Sequence, residues 1–145
     1  MRLSSPAFAD GAMIPSKYTC DGQDLVPPFV IEDVPVGTAS FAIVCHDPDS
    51  PSGNWDHWVA YDIPADTRSI DSQVGTQGMN SWPRSGYGGP CPSSGTHRYI
   101  FTLYALDTLM NLAPDATRSQ VEQKMSGHIL AQAELMGKYI KMENR

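Results

Sequence analysis

Apolar residues in this chain gather in short runs cut by Gly, Pro and Asp, and few recur at helical spacing. That texture predicts strands and turns. Residues 3–9 read as a first strand closed by the Asp10-Gly11 turn. Asp21-Gly22 marks another turn, and Val26-Pro27-Pro28 forbids a central strand because proline cannot donate to a ladder. A short apolar piece, Phe29-Val30-Ile31, follows. After the Pro35-Val36-Gly37 turn comes the strongest strand, Ser40 to His46. Its unbroken run Phe41-Ala42-Ile43-Val44-Cys45 predicts burial on both faces. Further strands run from His57 to Ile63, stopping at Pro64, and from Arg98 to Leu106. Residues 65–96 hold no periodic element, and a connection that long in a small domain is usually functional or ordered by a partner.

The pattern changes once. Leu112 to Thr117 is expected to open a helix, with Pro114 and Asp115 near its start. Val121, Met125 and His128 then share one helical face, and Gly127 is a stop. The tail Ile129 to Ile140 fits two periods. Ile129, Ala131, Ala133 and Leu135 alternate as in a strand, whereas Leu130, Ala133, Met136 and Ile140 suit a helix. The finish Gly137-Lys138-Tyr139-Ile140 tips the reading to a strand. The sum is a mainly β chain, a sandwich with a helical edge, in one domain spanning residues 1–145.

Charge narrows the function classes. A net charge of −6 without any Lys/Arg cluster argues against nucleic acid as partner. No segment is long and apolar enough for membrane insertion, and Met1 to Pro6 has no apolar leader core, so a cytoplasmic protein is expected. The three cysteines include no CxxC pair. Cys45 reads as a small buried hydrophobe. Cys20 and Cys91 lie in loops where they can pair, although such bridges are rare in the cytosol.

Three stretches carry chemistry. The strand Phe41 to Cys45 ends in His46-Asp47-Pro48-Asp49-Ser50-Pro51, and strand parity puts Asp47 on the face of Ile43 and Cys45, at a sheet rim. Trp55-Asp56-His57-Trp58 opens the next strand with a histidine between tryptophans that can wall a pocket. The loop Gly86 to Gly95, rich in Gly and Pro, runs into His97-Arg98-Tyr99, whose His97 and Tyr99 project from one face. Convergence of these three at one rim would gather imidazoles, a phenol and loop N–H groups, which suit a small anion such as phosphate or a carboxylate. Asp47 would orient one imidazole or hold it protonated. His46 faces away from Asp47, and His128 sits at a helix end where a cation is favourable.

Two other classes remain open from the residues alone. Asp47, His57 and His97 could hold a metal with an open position, as in a hydrolase, or Cys45 or Ser93 could act as a nucleophile beside a histidine. No HExxH pair fixes such a metal site. Residues 65–88, with Gly75, Gly78, Met79 and Trp82, could instead face a protein partner, as in an inhibitor-like interaction module.

Two long motifs add a resemblance. Asp47-Pro48-Asp49-Ser50-Pro51-Ser52 followed by His57-Trp58, and Gly89-Pro90-Cys91-Pro92 through Gly95 to His97-Arg98-Tyr99, resemble the phosphatidylethanolamine-binding protein family. Their order and spacing are most similar to its prokaryotic, Raf-kinase-inhibitor-like branch, and the likeness covers nearly the whole chain. The resemblance implies a Greek-key β sandwich with one or two helices near the C-terminus. By position it implies an anion pocket of Asp47, His57, Pro90, His97 and Tyr99, with Asp49, Trp55 and Gly89 as pocket wall. It implies a non-enzymatic binding module without metal or cofactor, taking a phosphorylated headgroup or small carboxylate, able to modulate a partner protein and to form a homodimer. Two departures are Val26, where a Ser is usual, and Ile31, where a Trp is common. The chain also lacks the extended C-terminal helix of animal relatives, so kinase regulation is not expected of it.

Overall fold

The apolar run Phe41–Cys45 forms the middle of a strand buried along almost its whole length, β3 (Ser40–Asp47). In the computed structural model, which describes residues 1–141, β3 lies at the centre of a five-stranded antiparallel sheet. On one side it pairs with β4 (Trp55–Pro64), and beyond β4 lies the short β6 (Thr76–Gln77). On the other it pairs with β7 (Thr96–Leu106), which pairs along its whole length with β8 (Ile129–Ile140). A second antiparallel sheet holds β1 (Arg2–Ser4), β2 (Phe29–Glu32) and β5 (Ser69–Ile70) in the order β1-β2-β5.

Alternation decides what each face buries. Phe41, Ile43 and Cys45 of β3 and Phe101 and Leu103 of β7 meet Leu3, Phe29, Ile31 and Ile70 of the smaller sheet in one core. Phe101 is its centre, with the rings of Phe29 at 4.9 Å and Phe8 at 6.3 Å. The opposite face places Ala42, Val59, Tyr61 and Leu106 against Val121 and Met125 of the helix α1 (Arg118–Met125). Tyr61 anchors the approach to that helix, its hydroxyl donating to the Ala113 carbonyl and accepting the Ala116 N–H.

The mainly β expectation with a late helix is met, including the strand at the C-terminal end. Three details differ. The first strand stops at Ser4, because Ser5 turns its hydroxyl onto the Pro28 carbonyl at 2.6 Å and takes the Ala7 N–H at 3.0 Å. The helix starts at Arg118 rather than within Leu112–Thr117, since Asn111 and Asp115 adopt positive φ (52° and 69°). Its start is a capping box: Thr117 Oγ1 accepts the Gln120 N–H, and the Gln120 side chain accepts the Thr117 N–H. His128 lies outside the helix and bonds Asp107 at 2.8 Å instead of sharing a face with Val121.

The aperiodic 65–96 connection is ordered by polar side chains. Buried Asn80 donates to the Gly86 carbonyl and accepts the N–H groups of Trp82 and Arg84. Gln73 accepts the Tyr87 N–H, and Gln77 accepts the Trp58 indole N–H. Cys20 and Cys91 form a disulfide, with Cα atoms 5.5 Å apart and a sequence separation of 71. No helix among the described residues is long and apolar enough to cross a membrane.

Opening a cross-link over a loop of that length releases unfolded-chain entropy. Cys91→Ser is expected to lower unfolding free energy by roughly 2–4 kcal/mol. Denaturant melts of the variant and of wild type, with and without a reductant, check this. Equal midpoints would show that the bridge contributes nothing.

Candidate functional site

The site is built from the end of β3. Asp47 is 3% exposed, and a buried carboxylate has to be hydrogen-bonded. One oxygen accepts the Asp49 N–H at 2.7 Å, which closes the turn through Pro48. The other accepts Nδ1–H of His97 at 2.6 Å. Asp49 grips the same strand from outside, accepting the Arg98 backbone N–H at 2.9 Å and its guanidinium at 2.9 and 2.8 Å. That guanidinium pulls the Asp49 carboxyl down to about 2. The Asp-Pro-Asp turn is thus bolted to the start of β7 through both carboxylates.

His57 reaches the same place by a bulge. Cys45 pairs with Trp58 and His46 pairs with Asp56, so β4 carries one extra residue, His57. Regular alternation would have sent it to the face of Val59 and Tyr61. The bulge turns it to the side of Trp58, where its ring meets Tyr99 edge-on at 5.1 Å. His57 Nδ1–H donates to the Gly88 carbonyl at 2.7 Å, and Gly88 N–H donates to the His57 carbonyl at 2.9 Å. Burial holds this imidazole below its ordinary range.

Trp82 closes the wall, edge-on to His57 at 5.0 Å and to Trp55 at 5.6 Å. This packing needs glycine at position 88, where a Cβ would come within 2.4 Å of the Trp82 ring. Gly89 is as constrained: a Cβ would meet Asp24 Oδ1 at 2.3 Å, the atom that accepts its own N–H at 2.8 Å.

Asp47, Trp55, His57, His97 and Tyr99 together line a cavity of about 210 Å³. Asp49, Gly89 and Pro90 do not line it. Asp49 faces Arg98, while the Pro90 carbonyl accepts the Cys20 N–H at 3.2 Å. Trp82 and Ser50 also line the cavity, neither marked as a pocket residue by the sequence, which offers Trp82 only as part of a stretch that could face a partner. No period marks that tryptophan, and only the Asn80 hydrogen bonds carry it to the rim. More voluminous clefts lie elsewhere, of about 560 Å³ beside α1 and about 450 Å³ between Lys17 and Gln73. Neither is lined by an imidazole, so volume and chemistry point to different places, and the chemistry identifies the candidate.

The indole N–H of Trp55, a group that only donates, is buried without a partner. Among the described residues no three His, Cys, Asp or Glu side chains stand close enough to hold a metal ion. Cys45 is buried within the core, which pushes its thiol well above the ordinary range. His46 projects to the other face of the sheet, half-buried, and its imidazole is held low by burial and by Arg118.

Comparison with known proteins matches this geometry to a family. The sequence model described as "Phosphatidylethanolamine-binding protein" covers residues 4–140. A UPF0098 protein of Methanothermobacter thermautotrophicus is 45% identical over 148 residues, covering 96% of this chain and 98% of that one. Another from Aquifex aeolicus is 46% identical over 150 residues, covering 96% and 88%. Among solved structures, a phosphatidylethanolamine-binding protein homologue from Chlamydia trachomatis superposes with a TM-score of 0.94 at 38% identity, covering 97% of each chain. Escherichia coli YbcL does so with a TM-score of 0.88 at 26% identity, covering 98% of each.

The Asp49–Arg98 clamp has a readable titration. Carboxyl NMR of the folded chain is expected to show Asp49 titrating at about 2, and Arg98→Gln to return it towards 3.8. The folded value is the lower one, so the pairing stabilises above the unfolded value and is lost as pH falls towards 2. An Asp49 that titrates in the usual carboxylate range would mean the clamp is open in solution.

Proposed function

Because this chain belongs to the phosphatidylethanolamine-binding protein family, we propose that it is a non-enzymatic binding module for a small oxyanion. The ligand class is phosphate, a phosphorylated headgroup or a small carboxylate, and the binding place is the rim cavity of His57 and His97. One observation carries the reading: two imidazoles from different strands, each pinned through Nδ1, line one cavity. Ser50, Ser93 and Tyr99 line the same space, and the serine hydroxyls can donate. About 210 Å³ is small beside the several hundred of a drug-sized site. It takes a headgroup and leaves acyl chains outside.

Two of the nucleophile candidates are out of reach of a ligand: the Cys91 sulfur at the lip is committed to a disulfide and Cys45 is sealed in the core. Both Asp47 oxygens are engaged. On this reading the Ser50 and Ser93 hydroxyls serve as hydrogen-bond donors to the ligand, whose bonds stay intact.

Inorganic phosphate and phosphoethanolamine are each expected to raise the melting temperature. A ligand at ten times its dissociation constant adds about 1.4 kcal/mol, equivalent to a few degrees for a chain of this size. The gain should shrink sharply in His57→Ala and His97→Ala. Titration calorimetry that finds no heat, with no thermal stabilisation at millimolar ligand, would remove the basis for this reading.

A further inference from the structure

The hydrogen bonds that pin the two imidazoles also decide which of their atoms a ligand meets. A carbonyl oxygen only accepts, so Nδ1 of His57 carries its hydrogen towards Gly88. The Asp47 carboxylate likewise accepts from Nδ1–H of His97. In the neutral state each ring therefore has its lone pair on Nε2 and no hydrogen left to give. The carboxylates facing these rings come from several elements. Asp47 stands at the end of β3, Asp24 reaches in through Gly89, and Asp49 lies beside His97 with Arg98 across it. Among the described residues, the lining of the cavity includes neither Lys nor Arg. With neutral imidazoles the ring atoms left for a ligand are acceptors and the nearby charges are carboxylates, which opposes an oxyanion and leaves only the hydroxyls to donate.

Resting on the anion-binding reading, we propose that the cavity takes up its oxyanion together with a proton, carried on Nε2 of His57 or His97. The proton comes from solvent, and no covalent bond between heavy atoms is made or broken. Protonation turns an acceptor into a donor aimed at the ligand and adds a positive charge between the anion and Asp47. Burial keeps the free His57 ring neutral at neutral pH, so the proton arrives with the ligand rather than before it. The sign follows: affinity rises as pH falls through the imidazole range, and it levels off once the free site is already charged. At neutral pH the site then favours ligands that bring a weakly acidic proton, such as phosphomonoesters, over fully ionised strong-acid anions.

Sulfate is the test probe, because it stays fully ionised throughout the range and any proton must sit on the protein. Calorimetric titration of the intact chain from about pH 8.5 to about pH 5.5 should show binding about tenfold tighter per pH unit for each proton taken up. Repeating it in buffers of different ionisation heat should count at least about one proton absorbed per sulfate. His57→Gln and His97→Gln, checked for folding, should flatten the slope. Sulfate binding of equal strength across the range, with no proton uptake, overturns the proton coupling and leaves the anion reading standing. No binding of sulfate or phosphate at any pH overturns both.

Discussion

A carboxylate cannot be left bare in a protein interior, and the rim of this fold is arranged around that constraint at Asp47. Its two oxygens are used by Asp49 and His97, which come from the turn after β3 and the first residues of β7. The pairing of β3 with β7 brings the strand ends together, and the carboxylate sets how they meet. Asp49 repeats the device from outside against Arg98, so the turn between two strands of one sheet is held by polar bonds where apolar contacts are few. Remove the Asp47 bond and His97 loses the contact that fixes which of its nitrogens faces the cavity.

The second half of the site depends on a break in regularity. A strand of perfect alternation would place His57 on the helix-covered face, among Val59 and Tyr61. The extra residue in the β4 register brings it round to Tyr99, and the exchange of hydrogen bonds with Gly88 ties it to the long connection. That connection has no period because it is not organised by apolar faces. Asn80, Gln73 and Gln77 hold it through side-chain bonds to backbone groups, and it delivers Trp82 to His57. The disulfide from Cys20 to Cys91 ties the outer layer of loops to the lip of the same cavity.

These supports share one chemical consequence. The hydrogen bonds that pin both imidazoles run through Nδ1, so the atoms left for a ligand are alike on both rings and their state follows the proton. The surrounding indoles bring no charge, which leaves the histidines as the only lining groups among the described residues able to become cationic.

Composition and pattern determined the mainly β class, the central buried strand Phe41–Cys45, the late helix and the last strand, because burial follows side-chain chemistry residue by residue. They also singled out Asp47, Trp55, His57, His97 and Tyr99, since those types cluster at strand ends beside Gly and Pro. Thr117-x-x-Gln120 is the capping-box pattern of the true helix start, and Pro114 is a competing start signal three residues before it. Only the tertiary structure decided that His57 sits on a bulge, that Trp82 belongs to the cavity, and that Pro90 and Gly89 stand behind it. Each of these turns on a register or a hydrogen bond between residues far apart in the chain. Local pattern carries no record of such pairings, because one strand slipped by one residue keeps its sequence and presents the opposite face.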